Sequence, residues 1–203
     1  MIIAWDFDGV LNRNQSGGRY VWEDAFEAAV GQPASAFGKF VFGVGPGDVI
    51  TGKIDILDRL HEWVRMAECN LDAQQILDLW LDMDANPDAE MLGLVDTLRG
   101  AGARQFIATN NEARRAAYIE HQMGMGAVME RIFASGPMGI AKPDPGYFAH
   151  IAEVLDVPGA EILFVDDLAA NVQAAIDAGW QGFHFTDQTR GELIERLRAG
   201  VQA

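Results

Sequence analysis

Five strand-length apolar runs, most of them separated by longer helical patterns, constrain this chain more than any other feature. They occupy residues 2–5, 105–108, 132–134, 162–165 and 182–185. Residues 111–123 and 168–178 are each long enough for a crossover helix. Strands alternating with helices read as a parallel sheet covered on both faces. Burial on both faces also explains why the runs are nearly continuous rather than alternating. The predicted fold class is α/β, a doubly wound, Rossmann-like parallel sheet.

Residues 14–86 break that rhythm. Helical segments are predicted over 22–30, 34–42, 54–67 and 72–81, with 40–44 ambiguous between helix and strand. Ile54, Leu57, Leu60 and Val64 recur at spacings of 3, 3 and 4, which is one face of a helix. No convincing strand is visible in this stretch, so it reads as a helical insertion after the first strand. The chain is predicted to re-enter the sheet domain near Pro87, with a helix over 88–99 ended by Gly100-Ala101-Gly102. The predicted division is therefore a core of residues 1–13 and 87–203 and an insertion of residues 14–86.

Composition narrows the partners. With 15 Lys plus Arg against 30 Asp plus Glu, the net charge is −15, which argues against nucleic acid or an anionic membrane, since both need a basic footprint. The single cysteine, Cys69, excludes an internal disulfide and a multi-cysteine zinc site. No run approaches the ~18 apolar residues of a membrane span, and the first residues lack the pattern of a signal peptide. The expectation is a soluble, cytoplasmic protein.

In open α/β sheets, ligands bind outside the carboxyl ends of the strands, so the residues that follow each run carry the chemistry. Asp6-Phe7-Asp8-Gly9 follows the first run, Thr109-Asn110-Asn111 the second, and Asp166-Asp167 the fourth. One Asp after a strand often only caps a turn, but three strands delivering polar groups, two with paired acids, point to a site. Four carboxylates on one edge repel one another and raise their own pKa values. A hard divalent cation resolves that conflict, and Mg²⁺ suits a site of carboxylates plus substrate phosphate. An Asp kept ionised in this way is able to attack phosphorus. Lys142, one of only three lysines, sits in Ala141-Lys142-Pro143-Asp144-Pro145, where two prolines restrict the backbone around it. Thr109 and Asn110 precede a helix predicted to start near Glu112, whose N-terminus suits a phosphate.

Taken in order, Asp6-Phe7-Asp8-Gly9-Val10-Leu11, Thr109-Asn110, Lys142-Pro143 and Asp166-Asp167 resemble the four motifs of the haloacid dehalogenase superfamily. The resemblance covers residues 1–12 and 88–190, and the helical stretch between them is similar in layout to the family's small α-helical cap. It implies Asp6 as the nucleophile that accepts the phosphoryl group and Asp8 as the general acid/base, with its carbonyl on Mg²⁺. It further implies Thr109 and Asn110 as phosphate-binding residues and Lys142 as the cation that orients the nucleophile. Asp166 and Asp167 are implied as metal-holding acids, Asp167 directly and Asp166 directly or through water. Asp8 favours phosphate ester hydrolysis over C–halogen cleavage, because an alkoxide leaving group needs an acid. The expected function is a Mg²⁺-dependent phosphatase acting on a small phosphorylated metabolite, such as a sugar phosphate, through an aspartyl phosphate. The alternatives are a phosphotransferase or phosphomutase, a haloacid dehalogenase, and a non-catalytic regulatory or binding protein on the same scaffold.

Other motifs point elsewhere only superficially. Gly47 to Lys53 fits a P-loop spacing, but Ile54 stands where a Ser or Thr must hold the metal. Asp82, Asp84 and Asn86 open like an EF-hand, but Pro87 replaces the required Gly and Gly93 the required Glu; the two acids are expected to flank the return to the core. The four histidines show no ligand spacing. Trp22, Phe26, Phe37, Phe40 and Phe42 are at helical spacings typical of a core, with lining a substrate pocket as the competing reading.

Overall fold

The apolar runs pair side by side in the computed structural model, which describes residues 1–45, 47–67 and 69–202. Strand β1 (Ile2–Trp5) leads into a short ribbon, β2 (Gln15–Ser16) and β3 (Arg19–Tyr20). Four helices follow: α1 (Glu23–Val30), α2 (Ala34–Phe42), α3 (Ile56–Ala67) and α4 (Ala73–Asp84). The chain then runs through α5 (Ala89–Gly100), β4 (Arg104–Thr109), α6 (Ala113–His121), β5 (Arg131–Ala134) and α7 (Ser135–Met138). It finishes with α8 (Pro145–Leu155), β6 (Ile162–Asp166), α9 (Ala169–Asp177), β7 (Gln181–His184) and α10 (Arg190–Gln202).

Five strands form one parallel sheet in the order β5-β4-β1-β6-β7. In register, Ile2 lies opposite Arg104 and Ile162, and Trp5 opposite Ile107 and Val165. The two-residue side-chain period of a strand sends Ile3 and Trp5 to one face and Ile2 and Ala4 to the other. The first face packs on Met91, Leu94 and Leu98 of α5 and Leu193 of α10. The second packs on Tyr147, Phe148 and Ile151 of α8 and Ala175 of α9. Each large apolar side chain buried in this way contributes about 1.5–3 kcal/mol. This is the doubly wound sheet that the alternating pattern predicts.

Helix starts follow from local chemistry. Asp72 and Gln75 form a reciprocal capping box at α4, and Asp88 accepts from the Glu90 and Met91 amides at α5. Glu112 caps α6, and Asp144 precedes Pro145 at the start of α8. Phe40 and Phe42 prove helical, since α2 runs on to Gly43. Helices α1–α4 bury their own apolar cluster, rich in aromatics, which includes Phe26, Phe37, Leu60, Trp63, Ile76 and Trp80. Phe26 and Phe37 meet at a centroid distance of 4.8 Å. One expectation fails: the 14–86 stretch does contain strands. Gln15↔Tyr20 and Ser16↔Arg19 pair antiparallel about Gly17 and Gly18, both at positive φ. Such a turn suits a two-residue hairpin, but its flanking residues are polar and exposed, so no apolar alternation marks them. Among the described residues, no helix is long and apolar enough to cross a membrane.

Candidate active site

Because β4, β1 and β6 are parallel neighbours, their carboxyl ends meet at one edge, at the point where the strand order reverses about β1. Asp6 follows β1, Thr109 ends β4 and Asp166 ends β6. The Asp6 amide donates to Val165 O at 2.8 Å, and Asp6 Oδ1 accepts from the Phe7 amide at 2.7 Å. Lys142 is buried between two acids, its Nζ 2.9 Å from Asp6 Oδ1 and 2.6 Å from Asp166 Oδ2. Burial drives the Asp6 pKa well above the usual carboxylate range, against the opposing charge of Lys142 and with the help of Asp166. Burial depresses the Lys142 pKa, but Asp6 and Asp166 outweigh it and the net direction is upward.

Asp166 is held by three donor groups. It accepts from the Leu168 amide at 2.8 Å and from Asn171 Nδ2 at 3.1 Å, besides Lys142. Asp167 differs: among the described residues no side chain donates to its carboxylate, and burial together with Asp166 pushes its pKa up to about 6. One carboxylate oxygen each from Asp6, Asp166 and Asp167 lies within 4.8 Å of the other two. Three acids against a single ammonium, one of them without a side-chain donor, make a hard-oxygen donor set that fits Mg²⁺. Gly9 keeps this corner open. Its φ is +75°, and a Cβ there would stand 2.3 Å from Asp167 Oδ2, so no other residue fits without displacing the acid.

The second motif is organised differently from expectation. Thr109 is buried, and its hydroxyl accepts from Asn111 Nδ2 at 2.8 Å. The Asn110 side chain clamps the Lys142 backbone, accepting from Lys142 N at 2.9 Å and donating to Lys142 O at 2.8 Å. Both ends of that amide are thereby engaged, so the Asn110 side chain fixes the lysine loop and keeps one Nδ2 hydrogen for a further acceptor.

Asp8 sits in a network that sequence reasoning missed. The Arg115 guanidinium grips both its oxygens, with Nη2 at 2.7 Å from Oδ1. Asn12, Asn14 and Asn111 donate to it at 3.0, 2.9 and 3.2 Å. Burial raises the Asp8 pKa, but Arg115 and the amides outweigh it, leaving the net value lowered. Arg115 also bonds Asp84 at the end of α4, which accepts from Asn14 Nδ2 at 3.0 Å and Trp22 Nε1 at 2.6 Å. Burial pushes the Asp84 pKa up, with Arg115 opposing. A signal for Arg115 was present: it shares the buried stripe of α6 with Ala116 and Ile119, a place where an arginine needs buried partners.

Asp82 and Asp84 do not merely flank the chain's return to the core. Tyr118 of α6 donates to Asp82 at 2.6 Å, and Arg114 grips Asp55, next to α3, at 2.8 Å through both Nε and Nη2. Lys53, from the P-loop-like segment, pairs with Asp48. His61, His121, His150 and His184 are exposed.

A cavity of about 460 Å³ lies between the helical layer and the sheet edge, within the usual range for small-molecule sites. Its floor includes Asp8, Asn110 and Arg115, and its roof includes Trp22, Phe37, Phe42 and Trp80. Phe26 belongs to the helical core instead, and Phe40 packs under Arg59 elsewhere, 4.1 Å from the guanidinium carbon to the ring centroid.

Comparison with known proteins agrees with this layout. The chain is 36% identical over 101 residues to the sesquiterpene phosphatase astK of Aspergillus oryzae, a match covering 50% of this chain and 52% of that protein. It is 26% identical over 185 residues to a phosphoglycolate phosphatase of Pseudomonas syringae, covering 88% of this chain and 66% of the relative. The chain thus spans about half the length of the first relative. A HAD family enzyme of Bacteroides thetaiotaomicron, solved in complex with magnesium and inorganic phosphate, superposes with a TM-score of 0.74. That match is 17% identical and covers 91% of this chain and 93% of the enzyme, which speaks for the fold. The model of the haloacid dehalogenase-like hydrolases matches residues 1–179, and the chain belongs to that family.

Proposed function

We propose that this hydrolase is a Mg²⁺-dependent phosphatase acting on a small phosphorylated metabolite through an aspartyl phosphate on Asp6. One observation carries the reading: buried Lys142 bridges Asp6 and Asp166 while Asp167, beside them, keeps a carboxylate without a side-chain donor. The relatives named as phosphatases support it. Residues 14–86 are proposed to act as a cap over the core of 1–13 and 87–203, and the cytoplasm is the proposed compartment.

Asp6 attacks phosphorus, forming an Oδ–P bond as the ester P–O bond breaks, and the departing oxygen takes a proton from Asp8. Asp8, then ionised, accepts a proton from water as that water attacks the same phosphorus, which restores Asp6 and releases phosphate. The Arg115 and amide contacts favour the ionised form of Asp8, which suits this second half and opposes the first, so the proton that Asp8 gives is the one taken from water in the preceding turnover. Lys142 holds Asp6 in place and offsets phosphate charge. Thr109 and the backbone at the start of α6 bound the phosphate pocket. Asp6, Asp8, Asp166 and Asp167 would hold Mg²⁺, Asp167 through its carboxylate and Asp8 through its carbonyl, and the ion would supply positive charge against the dianionic substrate.

Replacing Asp6 with Asn is expected to reduce p-nitrophenyl phosphate turnover in Mg²⁺ to background while the circular dichroism spectrum stays native. Undiminished turnover in the folded variant refutes the nucleophile assignment. Beryllofluoride is expected to be trapped on Asp6 of the unmodified protein, and capture on any other residue counts equally against it.

A further inference from the structure

We infer that the cavity above Asp8 is built for a phosphate monoester with an apolar body rather than for a sugar phosphate or a carboxylated phosphate. This rests on the phosphatase reading above. The floor of the cavity includes Asp8 and Asn110, close in sequence to Asp6 and Thr109, so an ester whose phosphate lies against Asp6 projects its body under the helical layer.

Two properties of the lining select that body. The first is the roof, where Trp22, Phe42 and Trp80 present aromatic surface backed by buried Phe37, and Ile50 and Ala34 extend it. The Phe42 and Trp80 rings meet tilted at a centroid distance of 5.9 Å, and so do those of Phe37 and Trp80, which makes the roof a continuous surface.

The second is that the polar lining is committed to itself. Asp8 and Asp84 share Arg115 and Asn14, while Asn111 serves Asp8 and Thr109. Glu112 caps α6, Glu23 holds Arg19 and the Tyr20 amide, and Asn110 clamps Lys142. The Tyr20 and Ser35 hydroxyls and one Asn110 Nδ2 hydrogen are left over, and Asn14 Oδ1 and Trp80 Nε1 are unpartnered but screened from the cavity by burial. A sugar needs several donors and acceptors, and using those of this cavity means breaking bonds already made. A second anionic group fares worse. Among the described lining residues Arg115 is the one cation, it is already shared by two carboxylates, and Asp8, Glu23, Asp84 and Glu112 are acids. Apolar surface asks nothing of these groups and gains from the roof.

The test is a series of n-alkyl phosphates from ethyl to decyl, with acetyl phosphate, glucose 6-phosphate and 2-phosphoglycolate, assayed by phosphate release in Mg²⁺. The expected result is a rise in kcat/KM of about fourfold per methylene until the cavity fills, with both polar metabolites below hexyl phosphate. A flat series, or glucose 6-phosphate or phosphoglycolate at the top, overturns the inference and leaves the phosphatase reading standing. Loss of hydrolysis of every compound, acetyl phosphate included, overturns both. Phe42→Ser is expected to lower the decyl-to-acetyl ratio of kcat/KM at least about tenfold, and an unchanged ratio counts against the roof. A binding measurement reads the site without turnover. Decylphosphonate added to the Asp6→Asn protein is expected to change tryptophan emission, since Trp22 and Trp80 line the cavity, whereas glucose 6-phosphate is not. No response to decylphosphonate, or an equal response to the sugar, overturns the inference.

Discussion

Asp8 and Asp167 lie on the same sheet edge, yet their surroundings move their proton affinities in opposite directions. Burial and the neighbouring Asp166 hold the Asp167 pKa up to about 6, whereas Asp8 is pulled down by Arg115 and the Asn12 and Asn111 amides against the effect of its own burial. Linkage turns the first shift into a measurable pH dependence. A carboxyl whose folded pKa is raised stabilises the metal-free protein below its unfolded pKa, and that contribution is lost as pH climbs from about 4 through about 6. Mg²⁺ competes with the proton for the same oxygens, so its addition is expected to raise Tm more at pH 7.5 than at pH 5. Equal increments at the two pH values would contradict a metal site that includes Asp167. Replacing Asp8 with Asn is expected to slow hydrolysis of an alkyl phosphate about 10²- to 10⁴-fold. The penalty should be smaller for p-nitrophenyl phosphate, whose leaving group needs little protonation, and steady-state kinetics with both esters read the difference.

Helix α6 binds the helical layer to the sheet domain. Arg114, Arg115 and Tyr118 reach Asp55, Asp84 and Asp82 respectively. Removing one partner of a buried ion pair costs about 3–5 kcal/mol, because the remaining charge is left uncompensated. Arg115→Met, which leaves both Asp8 and Asp84 without their cation, is expected to be destabilised by about that amount in urea unfolding. Arg115→Met combined with Asp84→Asn should recover part of the loss. At this scale the sequence was informative about strands, since each apolar run corresponds to a strand within a residue or so, and the acids after Trp5 and Val165 stand where the sheet rule puts them. It was less informative about α4 and α6. Asp84 and Arg115 are 31 positions apart, and neither spacing nor periodicity links an acid on one helix to a cation on another. The β2–β3 ribbon escaped for a different reason, since it is fixed by two glycines in its turn rather than by any buried side chain.

Two chain crossings join the layers, after β1 and before α5, and Asn12 fastens them together. Fully buried, it donates to Asp84 O at 2.9 Å and to Asp8 Oδ1 at 3.0 Å, and accepts from the Asn86 amide at 2.7 Å. Arg13 N donates to Asn86 O at 2.8 Å, and Asp88 N to Leu11 O at 2.8 Å. Truncation to Ala strands buried polar groups on both crossings, for which about 1–3 kcal/mol is expected. Hydrogen exchange should accelerate at residues 84–88 in the Asn12→Ala protein before it does so in β1, and uniform acceleration would argue against a local fastening. Substrate choice was the least legible property at this scale. The roof aromatics are spaced as a helical core would be, and only the folded chain separates Phe42, over the cavity, from Phe26, inside the core.

The aromatic cluster of α1–α4 shares no residue with the clusters on either face of the sheet. Roof and floor are nonetheless tied where Trp22 donates to Asp84 and Arg115 packs over Trp80, whereas Phe42 enters none of these bonds. A change at Phe42 can therefore reshape the ceiling without disturbing the acids beneath, so diversification of diet and preservation of chemistry need not compete at that position.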